Sequence, residues 1–131
     1  MIVYKVCILV NGKYRSYAHS TLGVNSKVYE IGTKVNGVNG PLFAHKTLGY
    51  IVDCPWYRQL TILKCDAVIS NSKVTAIPDP SFFNFLNDYD IIKFWKNPNR
   101  FFESHFDIAI IKEKYQIILC KSLTPISVVN R

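Results

Sequence analysis

Apolar positions fall mainly in short runs rich in β-branched residues. "IVYKVCILV" (2–10) reads as a strand, and Asn11-Gly12 behind it is the strongest short hairpin signal, since both residues tolerate positive φ. "YRSYAH" (14–19) then reads as the returning strand. It places Tyr14, Ser16 and Ala18 on one face and Arg15, Tyr17 and His19 on the other. After the loop "STLGVNS", "KVYEI" (27–31) is a further short strand with Val28 and Glu30 on one face. "PLFAHK" (41–46) predicts another, and Thr47 is placed to cap a short helix over about 47–54 that Gly49 weakens and Pro55 stops. "RQLTILKCDAVI" (58–69) predicts a strand, and "VTAI" (74–77) is expected to pair back after the turn "SNSK".

The pattern changes at "PDPSFFNFLNDYDIIKFWKNPN", the clearest helix, over about 80–96. Asp79 suits the N-cap and Pro80 the first helical position, where its missing N–H costs nothing. Phe82, Phe85, Leu86 and Tyr89 form the core face, Phe94 is assigned to the core, and Trp95 fits either core or surface. Asn97-Pro98 ends this helix, because the residue before proline avoids the α region. "FDIAIIKE" (106–113) and "YQIILCKS" (115–122) predict the last two strands, joined by a turn. The tail "LTPISVV" either extends that sheet or crosses over. The expectation is α+β, with a mainly antiparallel β-sheet and a single compact domain over residues 1–131.

Composition sharpens this picture. The 131 residues are rich in Tyr, Phe, Ile and Val, which argues for an ordered core, and there is no internal repeat or linker. No 18-residue apolar run predicts a transmembrane helix. Lys5 interrupts the opening apolar run, which lacks a basic leader and a small-residue cleavage site, so a strand is expected there rather than a signal peptide. The expected location is the cytoplasm of a host cell. Cys7, Cys54, Cys65 and Cys120 show no CxxC spacing, and three lie in apolar runs. They are expected to be structural thiols, with no metal and no cofactor. The net charge of +7 is uneven: residues 1–50 hold Lys5, Lys13, Arg15, Lys27, Lys34 and Lys46 against Glu30 alone. A basic first half fits an anionic partner, or only a lysine-rich surface.

Candidate chemistry is sparse. "GTKVNGVNGPLFAHK" (32–46) has Gly32 and Gly37 at phosphate-loop spacing, but Val38 and Asn39 stand where Lys and Ser/Thr belong. Half a dinucleotide fingerprint, Gly37 and Gly40, runs into Pro41. A plain connecting loop is the simpler expectation, with an anion nest beside Lys34 and Lys46 the alternative. His105 has Glu103 and Asp107 as alternating neighbours, which would share a face if the segment were a strand. That pattern fits an acid/base cluster, a metal site or, more simply, a solvated strand edge. His45 has no visible partner, and no catalytic motif is present. Tyr14, Arg15, Tyr17 and His19 interleave aromatic and basic groups, a pattern that can stack bases and neutralise phosphates. The candidate ligand-binding residues are therefore Arg15, Tyr17, His19, Lys34 and Lys46, with no catalytic residue assigned.

The stretches "YKVCILVNGKYRSY", "VYEIGTKV", "GPLFAHKTL" and "LTILKCDAV" follow one another in a familiar order. The chain resembles a loose family of small proteins of bacteriophages, prophages and large DNA viruses. Its members open with a "YKV…NGKYxS" hairpin and continue with "VEYKIGE", "LFVFKTLEDA" and "ILECEV". The resemblance covers about residues 3–69 and the valine-rich C-terminal end, and makes 80–96 a variable insertion. Glu30 shifts the "YKIGE" pattern, and Gly49, Cys54 and Pro55 disturb the expected helix. The resemblance carries no catalytic residue. It implies a virus- or mobile-element-encoded accessory protein that acts by binding. Sequestering an anionic nucleotide-type ligand or antagonising a host defence enzyme are the expected modes. The alternatives are a nucleic-acid-binding protein using the basic N-terminal sheet, and a small enzyme.

Overall fold

The computed structural model describes residues 1–16, 27–38, 40–52, 60–78 and 88–130. β1 (Ile2–Val10) and β2 (Lys13–Ser16) form the expected hairpin, with Val10 opposite Lys13 and both Asn11 (φ 51°) and Gly12 (φ 77°) at positive φ. That turn matches the right-handed twist of its strands. β3 (Val28–Tyr29) pairs along β2, and β4 (Val35–Asn36) pairs along the last strand, β9 (Ile117–Val128). β5 (Leu42–His45) leads into the short helix α1 (Leu48–Val52), and β6 (Thr61–Ile69) follows.

Four strands close on themselves. β1 pairs with β6, β6 with β9, β9 with β5, and β5 returns to β1 where His45 faces Tyr4. All these pairings are antiparallel, so the fold is α+β with a mainly antiparallel sheet. The pleat then sorts side chains into two layers. Val3, Cys7, Leu42, Ala44, Leu63, Cys65, Ala67, Cys120 and Leu123 pack inside the ring, joined by Tyr29. Lys5 shares this inward register, opposite Leu63, and is only 2% exposed. The alternate positions face outward. Val6 and Ile62 pack under Ile51 of α1. Phe43, Ile117 and Leu119 pack against a helical layer. All four residues of β5 are buried because it is covered on both faces.

The helical layer is α2 (Asp88–Lys96) and α3 (Pro98–Ser104), with Phe94 and Phe101 seated in its core. Phe94 is fully buried, as its sequence assignment required. Trp95 is half-buried, packed on Phe43 and Phe94. Asp79, Pro80, Phe82, Phe85 and Leu86 lie outside the described residues. Asn97 ends α2 as expected, but the chain does not leave the helical state for long. Asn97 Oδ1 accepts the Arg100 N–H and Pro98 occupies the first position of a new helix. The residues that stop one helix therefore start the next.

Two expected pairings differ. Residues 74–77 do not pair back on β6. β7 (Ala76–Pro78) instead forms a separate two-stranded sheet with β8 (Ala109–Ile111). Both edges of β6 are already taken by β1 and β9. The run 106–113 is likewise not one strand. 3-10 turns at Phe106–Ile108 and Lys112–Tyr115 flank β8, and Gln116 (φ 57°) redirects the chain into β9. β8 and β9 are thus not a hairpin, because β5, β4 and β6 occupy the edges of β9. The valine-rich tail belongs to β9 itself, whose register shifts twice against β6.

Candidate functional site

The glycine-rich stretch is stitched to β9 along its length. Gly32 takes positive φ (84°) in the turn after β3 and donates its N–H to Pro125 O, 2.8 Å. Val35 and Asn36 pair with Leu123 and Ser122, and the Gly37 N–H donates to Lys121 O, 3.1 Å. These N–H groups are spent on the sheet and form no open nest for a phosphate. Gly37 and Gly40 are small for a steric reason. A Cβ on Gly37 would overlap the Gly40 carbonyl, and a Cβ on Gly40 would overlap the Trp95 indole. The stretch is a connection, bordered by a shallow hollow of about 260 Å³ beside Ser70 and Lys121.

The sequence-derived ligand residues are spread out. Tyr17 and His19 lie outside the described residues. Arg15 is half-buried on β2, between Ile8 and Val28. Lys34 is exposed beside Val35, which faces Leu123 of β9, whereas Lys46 follows His45, which faces Ile117. Six residues of strand, roughly 20 Å, separate those two levels. The Lys46 ammonium is held by Glu113 Oε2 at 2.9 Å, and Lys112 reaches Oε1 of the same carboxylate at 3.1 Å. Hydrogen bonds from Lys46 and then Lys112 hold the Glu113 carboxyl below its ordinary range.

Glu103, His105 and Asp107 do not line one strand face. Glu103 lies in α3, His105 caps its C-terminus, and Asp107 sits in the following 3-10 turn. His105 Nδ1 engages Phe101 O and Ser104 Oγ, each at 3.1 Å, rather than either carboxylate. Cys7, Cys65 and Cys120 are buried free thiols, pushed up to about 12, 12 and 11 by burial, far from the thiolate form that reacts. Cys54 lies outside the described residues. Among the described residues no group of His, Cys, Asp or Glu could hold a metal ion. No helix among them is long and apolar enough to cross a membrane.

A different constellation appears where α2 meets α3. Ile92, Lys93, Lys96, Asn97, Arg100, Phe101, Ser104 and His105 line a cleft of about 390 Å³. They recur in pairs every four residues, so the restart of the helix at Pro98 keeps them on one side. Among the described residues this side carries three cationic side chains and no acidic one, over the apolar Ile92 and Phe101. Lys96 and Arg100 are exposed, and neither has an ion-pair partner among the described residues. The cleft floor is rigid. Phe101 packs edge-on against Phe94 at 5.6 Å and is itself 4% exposed. "KFWKNPNR" held the signal for this site, but it is visible only if Asn97-Pro98 is read as a helix start as well as a stop.

The chain matches no protein-family model, and the searches of curated proteins and of solved structures found no match.

Proposed function

We propose that the protein acts by binding, and that the cleft between α2 and α3 takes a small anionic ligand of the nucleotide type. The observation that carries this reading is the cluster of Lys93, Lys96 and Arg100 around one concave volume, with no carboxylate among its described lining residues. About 390 Å³ lies within the size range of small-molecule sites. Arginine presents its donors as a planar fork suited to phosphate, and lysine adds a mobile point charge. The resemblance to small phage and viral proteins supplies the setting: an accessory protein of a virus or mobile element that sequesters an anionic signal or antagonises a host defence enzyme.

The test is calorimetric titration of the whole chain with inorganic pyrophosphate at low salt. The unmodified protein binds, and the double variant Lys96→Glu/Arg100→Glu loses affinity by on the order of 100-fold, as expected for two charge-assisted contacts. Equal affinity in the two proteins, or no binding to the unmodified one, would overturn the assignment. Thermal melts of both proteins check that the exposed charge reversals leave the fold intact.

A further inference from the structure

We infer that His105 is a stacking platform for a planar heterocycle, so that the ligand of the cleft is a nucleotide with its base on His105 and its phosphate at Lys96 and Arg100. This rests on the anion-binding reading of the same cleft. It adds an observation that charge alone does not require.

The imidazole of His105 lies parallel to the Phe101 ring, with centroids 4.2 Å apart and planes 5° from parallel. Phe101 covers one face. The rim is tied by Nδ1 to Phe101 O and Ser104 Oγ, 3.1 Å each. Ring rotation is therefore already restricted before any ligand arrives, which lowers the entropic cost of stacking on it. His105 is half-buried and still lines the cleft. Its imidazole is thus a restrained planar group bordering the same volume as the cations.

The spacing fits one molecule. Arg100 and His105 are five residues apart along α3 and its cap, roughly 7 Å at the helical rise. A ribose between a base and its 5′-phosphate bridges a gap of that order. A helix-surface pair at i and i+4 would pack whether or not a ligand exists. The experiment therefore asks whether His105 contributes to binding a base.

The whole chain is titrated with AMP and with ribose 5-phosphate, which share the phosphate and sugar and differ by the base. AMP binds tighter by roughly 5- to 150-fold, the range of one base–aromatic stack. His105→Ala abolishes the preference, so that AMP and ribose 5-phosphate bind the variant equally. His105→Phe restores the preference for AMP, a rescue that a merely structural role would not confine to one ligand. Equal binding of the two probes to the unmodified protein overturns the platform while leaving the anion site standing. Failure of both probes to bind overturns both readings. If His105→Ala unfolds, the His105→Phe variant alone decides, because loss of AMP preference in that folded protein also sinks the proposal.

Discussion

The Trp95 indole occupies the space into which a side chain on Gly40 would project. This couples the loop before β5 to the C-terminal turn of α2, and explains why a chain segment that resembles a phosphate loop carries glycine there. Gly40→Ala forces the indole or the loop to shift and should destabilise by about 1–3 kcal/mol, the usual cost of overpacking. Urea melts of Gly40→Ala, Trp95→Leu and the double variant measure the coupling. The double variant should be less destabilised than the sum of the singles, and simple additivity would remove the link.

His45 is buried on the outer face of β5, stacked on Tyr50 with centroids 5.6 Å apart. Burial, and then the nearby Lys5, push the imidazole from its ordinary 6.5 down to about 4. The folded state holds it neutral while the unfolded chain takes up a proton below pH 6.5. Its contribution to stability is thus complete above pH 6.5, falls as pH drops to 4, and stays flat below. The difference amounts to roughly 3 kcal/mol. His45→Phe keeps the stack and removes the titration. Denaturant melts at pH 7 and pH 4 should show the unmodified protein losing about that much more than the variant, and parallel losses would refute the assignment.

Lys5 points into the ring, donates from Nζ to Phe43 O, and lies 5.8 Å from the centroid of the Tyr29 ring. Burial lowers its pKa from the ordinary 10.5. Between the lowered folded value and 10.5 unfolding therefore takes up a proton, and this penalty on the fold shrinks as pH rises through that window toward 10.5. Lys5→Met removes the penalty along with the titration. The stability of the variant relative to the unmodified protein should decline between pH 7 and pH 10, even though the Phe43 carbonyl loses its donor at both. A pH-independent difference would mean that the amine stays charged inside the ring.

Legibility in the sequence followed how local each determinant was. β1, the Asn11-Gly12 turn, β5 and β6 are readable because a short apolar run and a positive φ are properties of a few neighbouring residues. Ring closure is not, since the Tyr4–His45 pairing depends on segments 41 residues apart. The misassigned partners of β7 and β8 share one cause: a strand pattern says that an edge is needed, not which edges are already filled. The cleft hides in the sequence for a local reason. Pro98 stops α2, yet Asn97 and Pro98 together are also a helix start signal of the kind that Asp79 and Pro80 offer in the sequence. Lys5, the polar residue inside a strand of buried neighbours, was visible as an interruption, but its inward register became clear only from its pairing with Leu63.

β9 is the last strand of the ring and borders β4, β5 and β6. In a chain made from its N-terminus, one edge of β5 and one edge of β6 stay unpaired until residues 117–128 emerge, because β9 takes both. The fold therefore forms by late, long-range closure rather than by stepwise growth, a slow topology for which the order of synthesis offers little help. Without β9, Leu42, Leu63 and Ala67 lack the Cys120 and Leu123 side chains that complete their cluster. Unpaired strand edges and uncovered apolar side chains of this kind favour self-association, and one twelve-residue segment removes both.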